Sequence, residues 1–139
     1  MHFSYSRRIY LGDTDAAGVV YFARGLEICH EAYEESLADA EIEIGQMLND
    51  GVVGLPITHA EIDFFKPLFC GDLLEIQLET HQINKSEFAI IYQVFNINNL
   101  EKTLIKAKTR HVCINPQARM RVDLPIKLLS WLQKNQQII

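Results

Sequence analysis

A change of hydrophobic period near residue 22 restricts the possible folds of this chain more than any other feature of its sequence. Before this point apolar and polar residues alternate, which is typical of a half-buried strand, although Arg7 breaks the pattern. The apolar positions of this strand are Phe3, Tyr5, Ile9 and Leu11. After it, apolar residues recur every three or four positions, which predicts a helix from about residue 22 to residue 40. The predicted apolar face of this helix consists of Phe22, Leu26, Cys29, Tyr33 and Leu37.

The rest of the chain predicts a shorter helix, four strands and a final helix. The short helix covers residues 42–49 and ends at Gly51, because glycine commonly terminates helices. Turn residues separate the predicted strands, which cover residues 55–65, 74–81, 87–97 and 103–114. Pro125 is expected in the first turn of the final helix, where its missing N–H is tolerated.

This element order predicts an α+β fold with a sheet of about five strands. The short connections between the last four strands imply antiparallel pairing, and the helices must cover one face of the sheet. The chain has 139 residues and contains no Gly/Ser linker, low-complexity segment or internal repeat. We therefore expect a single domain that spans residues 1–139.

Composition and charge exclude several functional classes. The formal net charge of −5 argues against nonspecific binding to nucleic acid. Cys29, Cys70 and Cys113 are far apart and the five histidines are scattered, so neither a disulfide framework nor a metal site is predicted. The chain shows no secretory signal and no apolar stretch long enough to span a membrane. We expect a cytoplasmic protein with no membrane span and no nucleic-acid partner.

The turn GDTDAAGVVYF at residues 12–22 carries the candidate chemistry. Asp13 and Asp15 could bond their own backbone in the turn, or cap the helix that follows. A third interpretation is catalytic, because a helix N-terminus suits a developing oxyanion and a nearby carboxylate could attack an acyl carbon or activate water. Acyl transfer is the reaction that such a pairing suggests. GxSxG, GxxxxGK[ST], GxGxxG and HExxH motifs do not occur, and the residues alone leave the three interpretations open.

Together with GVVGLPITHAEIDFFKPLFCGDLLEI at residues 51–76, this turn resembles the hotdog-fold acyl-CoA thioesterases of the 4-hydroxybenzoyl-CoA thioesterase type. The resemblance covers nearly the whole chain, and its most specific part is the Asp-x-x-Gly-[Val/Ile]-Val motif with its aromatic tail. It implies a hotdog fold, in which an antiparallel sheet wraps around one long helix, and this agrees with the element order above. It also implies homodimers or homotetramers with active sites at subunit interfaces, an acyl-CoA substrate, and no metal or other cofactor.

The resemblance assigns roles to residues of the turn. The catalytic aspartate of the family precedes x-x-Gly, which makes it Asp15 here, as nucleophile or as general base. Asp13 and Gly18 match supporting positions of the motif. Backbone amides around Tyr21 and Phe22 would polarise the thioester carbonyl, and Phe22 can offer only its amide because its side chain transfers no proton.

Substrate-binding residues follow from the same resemblance. Thr58 and His59 lie with Glu61 on the strand that lines the acyl pocket in relatives. Coenzyme A brings phosphates that need cations, and the candidates are Lys85, Arg119 and Arg121. A further cationic row consists of Lys106, Lys108 and Arg110. Each of these cations could instead be an ordinary solvated surface residue.

Two helix glutamates, Glu27 and Glu31, are secondary candidates. A separate hotdog branch uses a glutamate of the long helix as its catalytic acid. That branch lacks the Asp-x-x-Gly turn, so these residues rank below Asp15.

Within the family, the chain is most similar to the branch that hydrolyses 1,4-dihydroxy-2-naphthoyl-CoA in phylloquinone (vitamin K1) biosynthesis. We therefore expect hydrolysis of an aromatic acyl-CoA thioester, here to 1,4-dihydroxy-2-naphthoate and CoA. The alternative is a broader short-chain, fatty or 4-hydroxybenzoyl acyl-CoA thioesterase. A hotdog module that binds acyl groups without catalysis is a third hypothesis.

Overall fold

The computed structural model describes residues 2–136 and contains the helices and strands in the expected order. A one-turn 3-10 helix at Leu11–Asp13 follows the first strand. The elements are β1 (Phe3–Arg8), α1 (Phe22–Asp39), α2 (Ile44–Asp50), β2 (Ile57–Phe64), β3 (Leu73–Gln82), β4 (Glu87–Asn96), β5 (Ile105–Val112), β6 (Ile114–Asn115), β7 (Met120–Arg121) and α3 (Ile126–Lys134). The ends of the expected domain, residues 1 and 137–139, lie outside the described residues.

Five strands form one antiparallel sheet in the order β1-β3-β4-β5-β2. The expected α+β class with a five-stranded antiparallel sheet is therefore confirmed. β1 and β2 are the two edges of this sheet, while β6 and β7 form a separate short hairpin. Buried and more exposed residues alternate along β3 and β5, because one face of each strand packs on the core. Most residues of the central strand β4 are buried.

The core lies between α1, α3 and one face of the sheet. Large buried side chains of this core include Ile28, Leu37, Ile76, Leu78, Phe88, Tyr92 and Trp131. The indole N–H of Trp131 donates to Ser36 Oγ at 3.0 Å, which ties α3 to α1 without leaving a buried donor unpaired. Thr80 Oγ1 donates to the Leu132 carbonyl at 2.6 Å and ties α3 to β3 in the same way.

Three local expectations are corrected by the structure. Phe22 is 64% exposed and does not join the apolar face of α1, because it is the first helical residue and faces an open cleft. Pro125 precedes α3 as its N-cap with an extended ψ of 157° and does not lie in the first turn. The strand expected over residues 103–114 ends at Val112, and the chain then turns into the β6–β7 hairpin.

Among residues 2–136, no helix combines the length and apolar character that a bilayer-spanning helix requires.

Candidate active site

Asp15 lies at the start of a tight turn between the 3-10 helix and α1. Its Oδ1 accepts the Ala17 N–H at 2.8 Å, and its carbonyl accepts the Gly18 N–H at 3.0 Å. Gly18 has a φ of 82°, a left-handed conformation that favours glycine. No hydrogen bond to Asp15 Oδ2 occurs within the described chain, so the turn orients the carboxylate through one oxygen and leaves the other available.

A cleft of about 400 Å³ places Asp15 beside the start of α1. Four aromatic and four aliphatic side chains line this cleft, together with one carboxylate and one cation. Its lining includes Asp15, Tyr21, Phe22, Phe64, Phe65 and Lys66. The arrangement joins a carboxylate, a helix N-terminus and an apolar surface in one concave site.

Gly25 allows the end of β2 to approach the first turn of α1 closely. A Cβ atom at this position would lie 2.9 Å from Ile62 Cδ1 and 3.0 Å from two ring carbons of Phe64, which is closer than side-chain contacts allow. The absence of a side chain at Gly25 therefore leaves room for the Phe64 ring to pack against the helix, where the ring lines the cleft.

The backbone amides at the start of α1 differ in their availability. Tyr21 N–H donates to the Asp13 carbonyl at 2.9 Å, which corrects the expectation that this amide is open to a substrate oxygen. The amides of Phe22 and Ala23 have no acceptor anywhere in residues 2–136. They are unpaired donors of the first helical turn, so they are the ones suited to a developing oxyanion.

Asp13 is the centre of a buried ion network below the turn. Its side chain is 2% exposed, and Oδ2 accepts from the Tyr10 N–H at 2.9 Å and from Arg7 Nη1 at 3.1 Å. Oδ1 accepts from Arg24 Nη2 at 2.6 Å. One carboxylate thus joins β1, the 3-10 helix and α1.

The contacts of Asp13 keep it ionised. Burial opposes the charged form, but the Tyr10 amide, Arg24 and Arg7 together outweigh it and lower the pKa of the Asp13 carboxyl. A buried carboxylate with two arginine partners acts as a structural anchor and is not free to exchange protons with a substrate.

The two secondary candidates on α1 are partners of arginines. Glu27 binds Arg24 at 2.5 Å, and Glu31 binds Arg7 Nε at 3.0 Å. Neither glutamate lines the cleft that contains Asp15.

The expected acyl-pocket residues lie away from Asp15 within one chain. Thr58 and His59 are at the start of β2, and both are exposed, whereas the end of that strand lines the cleft. His59 Nε2 bonds Glu61 Oε1 at 3.0 Å along the same strand face. A single chain therefore does not bring these residues to the site.

The expected coenzyme A cations also lie far from Asp15. Lys85 is in the β3–β4 turn, and its carbonyl accepts the Leu124 N–H at 2.8 Å. Arg121 binds Glu87 at the start of β4 at 3.3 Å, and Arg119 is exposed in the β6–β7 turn with a φ of 54°. All three are at the end of the sheet opposite Asp15, about 30 Å away along a ten-residue strand.

The other sequence candidates add no further group to the cleft. Lys106, Lys108 and Arg110 are exposed along β5, on the face opposite its buried residues. No group of three or more His, Cys, Asp or Glu side chains that could hold a metal ion occurs in the described part of the chain.

Phe64, Phe65 and Lys66 line the cleft but did not emerge from the sequence as site residues. They stand together as FFK in the segment that carries the family resemblance. The sequence did offer one indication of their role: Phe64 and Phe65 are adjacent at the end of a strand. Alternation predicts that one of two adjacent side chains points inward and the other outward, so one of these aromatic rings is expected outside the core.

Comparisons with known proteins agree with this geometry. Residues 9–132 match the sequence profile of the thioesterase-like superfamily. The chain is similar to a 1,4-dihydroxy-2-naphthoyl-CoA hydrolase from Crocosphaera subtropica, with 53% identity over 96% of this chain and 97% of that protein. A hydrolase of the same name from Microcystis aeruginosa is 54% identical over 92% of this chain and 91% of its own length.

A solved structure extends the similarity to the fold. The crystal structure of a 1,4-dihydroxy-2-naphthoyl-CoA thioesterase from Synechocystis superposes with a TM-score of 0.91. Its sequence is 38% identical, and the alignment covers 96% of each chain.

The Asp13 network generates a stability prediction with a defined pH dependence. Asp13→Asn should lower the free energy of unfolding by about 2–4 kcal/mol at neutral pH, because it leaves two arginines without a buried counter-charge. The pKa of Asp13 is lowered in the folded state, so its contribution is complete above the unfolded-state pKa and is lost as the pH falls through the folded-state pKa. Urea unfolding should show a constant difference at pH 6–8 that narrows below about pH 4.

The exposed Asp123→Asn is the matched control, expected within about 0.5 kcal/mol of the parent protein at every pH. A loss for Asp13→Asn that equals this control, or that does not change with pH, would contradict the role of the network.

Proposed function

The chain belongs to the thioesterase-like superfamily, and we propose that it hydrolyses 1,4-dihydroxy-2-naphthoyl-CoA to 1,4-dihydroxy-2-naphthoate and CoA as a step of phylloquinone biosynthesis. One observation carries the proposal: an oriented carboxylate, Asp15, shares an apolar cleft with Phe22, the first residue of α1, whose amide is unpaired. Full-length relatives at about half identity that are named for this reaction support the choice of substrate.

Asp15 supplies the reactive carboxylate in the proposed mechanism. It either attacks the thioester carbon directly or removes a proton from the water that attacks it. The carbonyl oxygen becomes an oxyanion, which the Phe22 and Ala23 amides and the positive end of the α1 dipole stabilise. The C–S bond then breaks, and the CoA thiolate takes up a proton from protonated Asp15 in the general-base route or from solvent in the nucleophilic route. In the general-base route the attacking water supplies the oxygen of the released acid. In the nucleophilic route a second step follows, in which water cleaves the mixed anhydride between Asp15 and the acyl group and regenerates the carboxylate.

The lining of the cleft suits a flat aromatic acyl group. The ring centroids of Tyr21 and Phe22 are 4.9 Å apart, and Phe64 and Phe65 line the same cleft. Aromatic rings prefer offset or edge-to-face contacts with another ring, which an aliphatic acyl chain cannot make.

A second copy of the chain would complete this site. β2 pairs only with β5 among the described strands, so its other edge carries unpaired backbone groups. Seven of its eight residues are exposed, including Ile57 and Phe64, which is unusual for a strand that has a full neighbour on one side. Pairing of β2 with the β2 of a partner subunit would cover this edge in a symmetric dimer.

Antiparallel pairing through a two-fold axis near the middle of β2 has a direct consequence for the pocket. It places Thr58 and His59 of the partner subunit next to residues 62–64 of the first subunit. Phe64 lines the cleft with Asp15, so the expected acyl-pocket residues would reach the site from across the interface.

The same symmetry explains the distant cations. Because the two-fold axis reverses the strand direction, the end of the partner's sheet that carries Lys85, Arg119 and Arg121 lies beside the Asp15 end of the first. We propose that these residues bind the phosphates of CoA in trans, where charge-assisted hydrogen bonds favour Arg and Lys. We also propose a cytoplasmic location, which the three free thiols Cys29, Cys70 and Cys113 support.

A panel of CoA esters tests the proposed function. The parent protein should prefer 1,4-dihydroxy-2-naphthoyl-CoA over aliphatic CoA esters by about 100-fold or more in kcat/KM, because only a ring makes offset or edge-to-face contacts with the aromatic side chains of the lining. Asp15→Asn should lower kcat by about a thousandfold or more with an unchanged unfolding midpoint, because it removes the carboxylate but keeps the turn. Asp123→Asn should retain parental turnover.

Equal turnover of all esters would favour the broader thioesterase. Release of CoA that does not exceed the buffer rate for any ester would favour the non-catalytic module, and parental turnover by Asp15→Asn would contradict the proposed mechanism.

Purified heterodimers test whether the site is shared. One subunit carries Asp15→Asn, and the other carries Lys85→Ala, Arg119→Ala and Arg121→Ala. If the cations act in trans, each heterodimer contains one intact site and should show about half the parental kcat/KM at low substrate concentration. The homodimer of the triple variant serves as the reference, and a heterodimer no more active than this reference would show that the cations do not act across the interface.

A further inference from the structure

Arg24 is the third residue of α1 and reaches back to the turn below the helix. Its Nη2 donates to Asp13 Oδ1 at 2.6 Å, and its Nη1 donates to Glu27 Oε2 at 2.5 Å. The arginine side chain is 40% exposed, whereas its Asp13 partner is almost completely buried. The Arg24 guanidinium therefore lies between the buried Asp13 carboxylate and the solvent.

The position of Arg24 is unfavourable for the helix itself. The first turn of a helix attracts anions and repels cations, because the macrodipole is positive there. The Nε atom of Arg24 is also buried without a hydrogen-bond partner in the described chain. Helix stability therefore does not account for an arginine at this position, and its contacts with the two carboxylates do.

Asp13 already has one close cation without Arg24. Arg7 Nη1 lies 3.1 Å from Oδ2, and the Tyr10 amide donates to the same oxygen. The second arginine differs from the first in the element to which it belongs: Arg7 is on β1, whereas Arg24 is on α1. Arg24 is the one described residue of α1 whose side chain binds the Asp13 carboxylate directly, whereas Arg7 reaches the helix through Glu31, nine residues after its start.

Two bonds join Asp13 to the first turn of α1. The Tyr21 N–H donates to the Asp13 carbonyl at 2.9 Å, and Arg24 binds the carboxylate of the same residue. One bond fixes the position of the helix start, and two together also fix its rotation relative to the segment that continues to Asp15. Phe22 and Ala23, the residues with unpaired amides, lie between the two attachment points.

We infer that Arg24 is a positioning residue, which acts through Asp13 to hold the Phe22 and Ala23 amides at a fixed distance and angle from the Asp15 carboxylate. The inference rests on the proposed thioester hydrolysis. Arg24 does not line the cleft, so it holds no substrate atom itself. Displacement of a reacting group by about 1 Å can reduce turnover by about 100-fold, which sets the size of the expected effect.

Steady-state kinetics of Arg24→Gln and Arg24→Lys test this role. Arg24→Gln should lower kcat by about 10–100-fold with KM within about threefold of the parent, because a shift of the amides weakens transition-state binding but leaves the pocket intact. Arg24→Lys retains a charge that can reach Asp13 and should recover most of kcat. Lys134→Gln, which removes the exposed ion pair with Asp39 at the far end of α1, should match the parent.

The unfolding midpoint of each variant separates positioning from folding. Parental kcat in folded Arg24→Gln, or a fall in activity that only follows the unfolded fraction, would overturn the inference. If Arg24→Gln does not fold, Arg24→Met takes its place, because it keeps the aliphatic part of the side chain and removes the contact with Asp13. A folded Arg24→Met with unchanged kcat would then overturn the inference. Failure of the parent protein to hydrolyse any CoA ester would instead contradict the proposed function.

Discussion

The ion network around Asp13 is the interaction on which the rest of the site depends. A carboxylate with 2% exposure requires compensation, and the chain supplies it from three elements, through Arg7 on β1, the Tyr10 amide and Arg24 on α1. The same contacts that stabilise the buried carboxylate also hold the end of β1 and the start of α1 in place. Asp15 lies two residues away, so its location relative to the helix N-terminus follows from this anchor. The two aspartates of the turn thus differ: Asp13 is held in a buried ion network, whereas Asp15 lines the cleft and is the proposed reactive carboxylate.

The second constraint is the unpaired edge of β2. In one chain the cleft has a carboxylate, an unpaired helix amide and aromatic side chains, but the cations proposed to bind CoA lie at the opposite end of the sheet. The proposed two-fold axis, perpendicular to β2 near its middle, would remove both difficulties, because it covers the edge and reverses the direction of the partner's sheet. The proposed site is therefore divided between subunits for a geometric reason: a strand of eight to ten residues separates the chemistry from the cations.

Local periodicity predicted the order and approximate bounds of the main helices and strands, but not the 3-10 helix, the β6–β7 hairpin or the side-chain partners of Asp13. The helix expected over residues 22–40 ends at Asp39, and the glycine expected to close the second helix, Gly51, does so with a φ of 60°. Phe22 has the spacing of a buried residue but is exposed, because it is the first residue of α1 and faces the cleft. The sequence does not show where the sheet stops covering the helix. Arg7, the residue that broke the strand pattern, binds Asp13 in the turn and Glu31 on α1. The roles of Asp13 and Arg24 depend on contacts between side chains, which spacing alone does not reveal.

The central claim is that the Asp15 carboxylate and the first amides of α1 converge on one thioester carbonyl. A crystal structure of Asp15→Asn with bound 1,4-dihydroxy-2-naphthoyl-CoA would test it most directly. The account predicts that the thioester oxygen accepts the amide of Phe22, Ala23 or both at about 2.7–3.1 Å, with the residue 15 side chain facing the thioester carbon. A carbonyl oxygen that points to solvent, or that is bound by groups outside the first turn of α1, would contradict it.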